Sequence, residues 1–217
     1  MTRVKICGLT SLGDALAAAE AGADLLGFVL VQDSPRHVEP RRAAEIVAAL
    51  RQRDVALPCV GVVANLPPGQ ARALRQQCGF DLIQLHGAED PAAAAELHPA
   101  VIVARRVTGA GSLVGLANYP AYAYLLDARG VERRDAAPAT WDWRLLRKAA
   151  VRGRVIVAGG LAPENVSQAV RLARPWGVDV ASGVEAHPGH KDRAAVARFI
   201  RAVREVDVEG ECDTGDD

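Results

Sequence analysis

The sequence predicts a single (β/α)8 barrel, an α/β fold in which eight parallel strands close into a cylinder covered by helices. Short apolar segments alternate with amphipathic segments along the whole chain. Segments that are apolar on both faces are typical of parallel strands buried beneath helices. Eight such units fit the 217 residues, a length within the usual range of this barrel. We therefore expect one domain without an internal linker.

The predicted strands are short apolar runs bounded by polar or glycine-containing segments. In chain order they are Val4–Cys7, Leu25–Val31, Cys59–Val63, Leu82–Leu85, Val101–Val107, Ala123–Asp127, Val155–Ala158 and Val178–Ser182. The segments between them are rich in Ala, Leu, Arg and Glu, which favour helices. The predicted helices are Ser11–Ala21, Arg41–Arg51, Pro67–Cys78, Asp90–Leu97, Trp141–Ala149, Pro163–Leu172 and Lys191–Val206, with a weaker helical pattern over Ser112–Ala117.

Several of these helices carry signals at their ends. Asp90 is a predicted N-cap just before Pro91, and Pro163 also stands at a predicted first turn, where a missing N–H costs nothing. Gly22 and Gly79 follow helices, at the position where a left-handed residue is often required. These signals support the predicted order of strands and helices.

The composition excludes several classes of protein. Basic and acidic residues number 26 each, so the net charge of zero predicts neither a nucleic-acid nor a membrane partner. No apolar run reaches the roughly 18 residues of a membrane span, and the N-terminus lacks the apolar core of a signal peptide. We expect a cytoplasmic protein, a monomer or a homodimer. The barrel is predicted over residues 1–207, and the acidic segment 208–217 as a disordered tail.

The cysteines and histidines predict no metal site. No two of the four cysteines have C-x-x-C spacing, and free thiols are the simplest interpretation, although an even number also permits two disulfides. These cysteines are Cys7, Cys59, Cys78 and Cys212. His187 and His190 are three residues apart, but Pro188-Gly189 between them would break a helix that could present both to one ion.

Active sites of this fold lie at the carboxyl ends of the strands, and reactive groups follow most of the predicted strands. Cys7 ends the first strand and Asp127 ends the sixth. Arg36, Asn65 and His86 follow the second, third and fourth strands. We expect these polar side chains to gather at one end of the barrel.

Glycines after the last two strands predict a phosphate site. Gly159 and Gly160 follow the seventh strand, and Ser182 and Gly183 follow the eighth. Such residues leave backbone N–H groups unobstructed, and donors of this kind bind phosphate in many barrels. The alternative is two tight turns that simply require glycine.

Several short motifs occur in a fixed order over almost the whole chain. They are Lys5-Ile6-Cys7-Gly8-Leu9-Thr10, Gly27-Phe28-Val29, Ser34-Pro35-Arg36, Gly61-Val62-Val63-Ala64-Asn65, Gln84-Leu85-His86-Gly87, Leu125-Leu126-Asp127, Asp142-Trp143, Ala158-Gly159-Gly160-Leu161, Pro163-Glu164-Asn165-Val166, Gly177-Val178-Asp179-Val180-Ala181-Ser182-Gly183-Val184-Glu185 and Pro188-Gly189-His190-Lys191-Asp192. In these motifs and their order the chain resembles the phosphoribosylanthranilate isomerase family of tryptophan biosynthesis.

The resemblance implies an Amadori rearrangement of a small phosphorylated substrate, N-(5-phosphoribosyl)anthranilate, to an aminoketose. A general acid must open the sugar ring and a general base must remove the proton from C2, so no cofactor is required. Asp127 matches the acid, and a buried carboxyl can keep its proton near neutral pH because desolvation disfavours its charge. Cys7 matches the base, which requires a site that stabilises the thiolate, through nearby positive charge or backbone donors.

The resemblance also implies binding residues. Arg36 matches the group that binds the anthranilate carboxylate, for which a guanidinium offers a bidentate contact. His86 and Asn65 are expected to line the same pocket, with structural support as the equal alternative for each. Gly159, Gly160, Ser182 and Gly183 are predicted to bind the phosphate.

One segment departs from the family pattern. The family usually has a glycine-rich segment after the sixth strand, where this chain reads Arg134-Asp135-Ala136-Ala137-Pro138-Ala139-Thr140-Trp141. Two alternatives stay open: an isomerase that also serves histidine biosynthesis, and a barrel that binds a sugar phosphate without catalysis. Barrels of the first kind typically use two aspartates, whereas the first strand here ends in Cys7.

Overall fold

Eight parallel strands close into a (β/α)8, or TIM, barrel in the computed structural model, which describes residues 1–128 and 153–212. Each strand pairs with its neighbours in chain order, and β8 closes the ring by pairing with β1. The strands are β1 Arg3–Ile6, β2 Leu25–Val29, β3 Cys59–Val63, β4 Leu82–Leu85, β5 Val101–Arg106, β6 Ala123–Asp127, β7 Val155–Ala158 and β8 Gly177–Val180. The predicted fold class is therefore confirmed.

The helices of the described residues follow the strands. They are α1 Leu12–Glu20, α2 Pro40–Arg51, α3 Pro68–Cys78, α4 Pro91–Leu97, α5 Val166–Ala173 and α6 Arg193–Cys212. After β8 come a short 3-10 helix, Ser182–Val184, and a hairpin of β9 Glu185–His187 and β10 His190–Lys191. Two short 3-10 turns, Ala110–Leu113 and Leu116–Asn118, stand in place of a helix after β5. The predicted helix Trp141–Ala149 and the segment 134–141 lie outside the described residues.

The predicted helix ends are largely confirmed. The Asp90 carboxylate accepts a hydrogen bond from the Ala93 N–H at the start of α4, and Gly79 ends α3 with φ of 69°. Pro163 does not open its helix, because α5 begins only at Val166. The Asn165 amide ties the preceding turn together, since its Nδ2 donates to the Gly160 carbonyl.

Most predicted boundaries differ from the structure by a few residues, and three of the differences stand out. β1 ends at Ile6, so Cys7 is the first residue after the strand rather than its last, although its N–H still donates to Val180 of β8. The weak helix predicted over 112–117 is two short 3-10 turns, interrupted at Gly115 with φ of 77°. α6 continues to Cys212, five residues into the predicted tail. Residues 213–217 lie outside the described residues, and their disorder stays a prediction.

Two apolar layers follow from the alternation of side chains along each strand. One layer lies inside the barrel and the other between the barrel and its helices. Val4 and Ile6 of β1 belong to the outer layer, so Lys5 and Cys7 must face the inside. By the same alternation Asp127 faces inward, because Ala123 and Leu125 of its strand belong to the inner layer.

The last helix joins the two ends of the chain beneath the barrel. Arg204 of α6 donates to the carbonyls of Thr2 and Gly22 and to the Asp24 carboxylate. The Asp207 carboxylate accepts hydrogen bonds from both the backbone N–H and the hydroxyl of Thr2. These contacts close the barrel at the end opposite to the predicted site.

Candidate active site

Cys7 and Asp127 lie at the same end of the barrel, on either side of its central space. Cys7 follows β1 and Asp127 is the last residue of β6, with β7 and β8 between these strands around the ring. Both are buried, with 6% of Cys7 and 3% of Asp127 exposed. Both predicted catalytic side chains therefore lie at the carboxyl ends of the strands, and their contact with a substrate stays a prediction.

Cys7 shares its surroundings with the buried ammonium of Lys5. A methyl group in place of the Gly27 hydrogen would lie 2.8 Å from the Cys7 Sγ and 2.9 Å from the Lys5 Nζ. The Lys5 Nζ donates to the Asp179 Oδ1 at 2.8 Å. Burial alone would lower the pKa of Lys5, but the charges of Asp179 and Cys7 and hydrogen bonds to both raise it above the ordinary value.

Arg36 is held by a carboxylate that the sequence did not assign to it. Its Nε and Nη2 donate to the two oxygens of Glu185 at 2.8 and 2.7 Å. Lys191 donates to the same carboxylate at 2.9 Å. Burial would raise the pKa of Glu185, but the hydrogen bonds and charges of Arg36 and Lys191 hold it below the ordinary value.

Gly8 allows Arg36 to reach this position. Gly8 has φ of 76°, in the left-handed region, and a Cβ there would lie 2.6 Å from the Arg36 Cδ. The glycine of the Lys5–Thr10 motif is thus explained by the path of the Arg36 side chain across the loop after β1.

His86 lies beside Asp127. Its Nε2 is 3.5 Å from the Asp127 Oδ2, and its Nδ1 is 2.9 Å from the Nε2 of the buried Gln84. A Gln84 amide that donates to Nδ1 leaves the proton of a neutral imidazole on Nε2, facing Asp127. His86 therefore lies beside Asp127 and is oriented by Gln84, and its contact with a substrate stays a prediction.

Asn65 braces one loop against another. Its Oδ1 accepts a hydrogen bond from the Ala88 N–H at 2.8 Å, and its own N–H donates to Glu89 at 2.6 Å. A Cβ on Gly87 would overlap the Asn65 amide, so the two loops are in close contact. The structural alternative is thus supported for Asn65, and its contact with substrate stays a prediction.

The loops predicted to bind phosphate meet closely. Gly159 and Gly160 have φ of 94° and 67°, which favours glycine at both positions. A Cβ on Gly183 would overlap the Leu161 carbonyl oxygen, so the loop after β8 packs directly on the loop after β7. Ser182 begins the 3-10 helix beside this contact.

Four residues that the sequence interpretation did not assign to the site contribute to it. Lys5 and Gln84 could have been found as polar residues inside otherwise apolar strands, because such side chains are costly to bury without a purpose. Glu185 and Lys191 belong to quoted motifs, but the pairing of Glu185 with Arg36 depends on a tertiary contact between residues 149 positions apart.

Metal binding and membrane insertion are the two other classes of function to compare with the described part of the chain. The rings of His187 and His190 lie against each other on the hairpin, with centroids 4.2 Å apart and planes tilted by 45°. Among the described residues, no group of three or more side chains could hold a metal ion. Over the same residues, no helix has the length and apolar character needed to cross a membrane.

The fold and the arrangement of these groups define a single-domain (β/α)8-barrel protein whose ionisable side chains meet at the carboxyl ends of the strands. The profile of the N-(5'-phosphoribosyl)anthranilate isomerase family matches residues 4–202. The chain belongs to this family.

Relatives and solved structures agree with that assignment. The chain is 45% identical to the N-(5'-phosphoribosyl)anthranilate isomerase of Geobacter sulfurreducens over 204 residues, 94% of this chain and 99% of that protein. The phosphoribosyl anthranilate isomerase of Thermotoga maritima superposes with a TM-score of 0.84 at 34% identity, over 94% of this chain and all of that chain. A further solved isomerase, with a TM-score of 0.81 at 34% identity and the same coverage, is a complex with reduced 1-(o-carboxyphenylamino)-1-deoxyribulose 5-phosphate.

Proposed function

We propose that this protein is an isomerase of tryptophan biosynthesis that converts N-(5-phosphoribosyl)anthranilate to 1-(2-carboxyphenylamino)-1-deoxyribulose 5-phosphate. The observation that supports the proposal is the position of Cys7 and Asp127, both buried at the carboxyl ends of β1 and β6, in a chain of this family. One thiol and one carboxyl at the same end of the barrel match the base and the acid that an Amadori rearrangement needs.

In the proposed reaction Asp127 acts first. Its carboxyl donates a proton to the ring oxygen of the furanose, the C1–O bond breaks, and the anthranilate nitrogen supplies the electron pair that forms a positively charged iminium at C1. The Cys7 thiolate then removes the proton from C2, and the electrons of that bond neutralise the iminium nitrogen. The resulting enol-amine tautomerises to the aminoketose. His86, 3.5 Å from Asp127, faces the carboxylate left after the first step.

Arg36 is proposed to bind the anthranilate carboxylate. Glu185 occupies the edge of the guanidinium that carries Nε, so the edge that carries Nη1 is the one available for the substrate. This differs from an isolated arginine, which can offer either edge. Glu185 also fixes the plane of the guanidinium before substrate arrives, which lowers the entropy lost on binding.

The phosphate is proposed to bind at Gly160, Ser182 and Gly183, where the loops after β7 and β8 pack together. Asn165 supports this loop, because its Oδ1 accepts from the Ala162 N–H and its Nδ2 donates to the Gly160 carbonyl, both at 2.9 Å. A braced loop presents its backbone donors in a fixed geometry, as phosphate sites of this fold require.

The test is the loss of fluorescence of freshly generated phosphoribosylanthranilate on addition of the purified protein. Consumption faster than spontaneous decay, with the aminoketose as product, supports the proposal. Binding without turnover would instead support the sugar-phosphate-binding alternative, and equal turnover of the related histidine-pathway substrate would support the dual-substrate alternative. A cytoplasmic location and a monomeric or homodimeric state belong to the same proposal.

A further inference from the structure

We propose that Lys5 is the positioning residue for Cys7: its ammonium, anchored by Asp179, holds the sulfur as the thiolate that the base step consumes. The inference rests on the proposed function. It identifies Lys5 as the group that stabilises the thiolate form of the proposed base, Cys7. Lys5 acts through Cys7 and has no assigned contact with substrate.

The burial of Lys5 is the first observation. Its side chain is completely buried inside the barrel. Burying an ammonium costs several kcal/mol, and its attraction to one carboxylate often does no more than offset that cost. An apolar pair of similar size would stabilise the barrel at least as well. The Lys5–Asp179 pair therefore points to a role other than stability.

The place of Lys5 is the second observation. Lys5 and Cys7 lie two residues apart on β1 and its continuation, so both face the interior of the barrel. Both atoms approach Gly27 on the neighbouring strand, where an added Cβ would lie 2.8 Å from the Sγ and 2.9 Å from the Nζ. The glycine of the Gly27–Val29 motif is thus explained by the space that the two reactive atoms share.

Taken together, the charged groups around Cys7 favour the thiolate form of its side chain. Lys5 and Asp179 form one ion pair, and Lys191 and Arg36 share the carboxylate of Glu185. Lys191 also interacts electrostatically with Cys7. Three cations thus face two carboxylates, and both carboxylates are already engaged with cations. Burial alone would lower the pKa of Lys5, but the charges of Asp179 and Cys7 raise it above its ordinary value, so Lys5 keeps its positive charge.

The experiment measures how fast iodoacetamide alkylates Cys7 as pH is varied, followed by mass spectrometry of the peptide that carries it. Lys5→Met removes the charge and keeps the length of the side chain. The expected result is a shift of the half-maximal rate to higher pH by about one to three units, the usual effect of losing an opposite charge at this range. Lys5→Met,Asp179→Asn should shift it in the same direction, because the ammonium that hydrogen-bonds the sulfur is lost in both.

If Lys5→Met does not fold, the double variant still tests the inference, because removing both charges leaves no unpaired ion in the barrel. Asp24→Asn is the matched control: Asp24 is a largely buried carboxylate paired with Arg3 and Arg204 at the opposite end of the barrel. It should lower the melting temperature without moving the alkylation profile. Cys59 is an internal comparison, because burial raises the pKa of its thiol to about 11.

An alkylation profile of Cys7 that is unchanged in a folded Lys5→Met or double variant would overturn the inference. A profile that moves equally in Asp24→Asn would also overturn it, because the shift would then reflect loosening of the barrel. Alkylation does not require turnover, so it separates the two proposals. A parent protein without isomerase activity would contradict the proposed function and leave the Lys5 test valid.

Discussion

At the scale of single residues, the proposed acid and base are held in different ways. Asp127 ends a strand and has His86 within 3.5 Å. Cys7 follows a strand and shares a glycine-lined space with Lys5. A carboxyl that gives up a proton benefits from a nearby hydrogen-bond donor that accommodates the resulting charge, and a thiol that must lose a proton benefits from a cation. The two environments therefore fit opposite roles.

We predict that Cys7→Ser and Asp127→Asn each lower kcat by about 10²–10⁴-fold, the usual contribution of a positioned acid or base. Neither change alters the volume of the side chain enough to unfold the barrel. Steady-state fluorescence kinetics and circular dichroism of each variant provide the measurement. Cys59→Ala is the control, since Cys59 lies at the amino end of β3, and it should retain kcat. Near-normal kcat in a folded Cys7→Ser would remove Cys7 from the mechanism.

Arg36→Met is expected mainly to raise KM, because a carboxylate contact that persists through the reaction is uniform binding. Glu185→Gln should raise KM in the same direction by less, since it weakens the alignment of Arg36 but keeps its charge. Arg41→Met, on the exposed start of α2, is the control. The kcat and KM of the three variants, measured under the same conditions, test these expectations. A fall in kcat at constant KM for Arg36→Met would place Arg36 among the catalytic groups.

At the scale of secondary-structure elements, the strands carry the reactive groups and the loops after β7 and β8 form one unit. Gly183 packs against the backbone of Leu161 and Ala162, which cannot move aside as a flexible side chain could. The two loops therefore keep their relative position only if residue 183 has no Cβ. This contact, rather than turn geometry alone, accounts for the glycine of the Ser182-Gly183 pair.

Gly183→Ala is predicted to raise KM and to destabilise the protein by about 1–3 kcal/mol, the cost of overpacking. Gly160→Ala is the matched comparison, because its Cβ would meet no atom within 4 Å and only its φ of 67° is unfavourable. Its effect on both quantities should be smaller. Urea denaturation and KM measured on both variants test the difference. Equal effects would show that contact between the loops does not determine the site.

At the scale of the whole molecule, the chain ends meet beneath the barrel. Arg204 of α6 connects the start of β1 with the segment before β2, through Thr2, Gly22 and Asp24. Burial would raise the pKa of Asp24, but hydrogen bonds and charge from Arg3 and Arg204 hold it below its ordinary value of 3.8. The ends of the chain therefore contribute to stability at a distance from the site.

We predict that Arg204→Ala lowers the free energy of unfolding by about 2–3 kcal/mol, the range for charged hydrogen bonds, with kcat and KM of the folded protein unchanged. Because the pKa of Asp24 is lowered by folding, its stabilisation is complete above pH 3.8 and is lost as the pH falls through its folded value. The difference between parent and variant should thus shrink in acid. Thermal unfolding from pH 7 to pH 3 measures this, with the exposed Arg201→Ala as the control. A difference that stays constant over this range would contradict the assignment.

The sequence by itself determined the barrel, the order of its strands and the polar groups at their ends, because these follow from local periodicity and from motifs of adjacent residues. Boundaries shifted by a few residues where tertiary contacts intervened, as at Pro163, where the Asn165 amide delays the start of α5.

Only the tertiary structure decided which charges share the site. Lys5 meets Asp179 across 174 residues, and Arg36 meets Glu185 across 149. The closure of β8 onto β1 sets the first pairing and the return of the hairpin over the barrel mouth sets the second. The energy of an ion pair depends on the distance between the two charges in space, and the order of residues along the chain does not give that distance. The reactive groups could therefore be predicted from the sequence, whereas the ion-pair partners of those groups follow from the closed barrel.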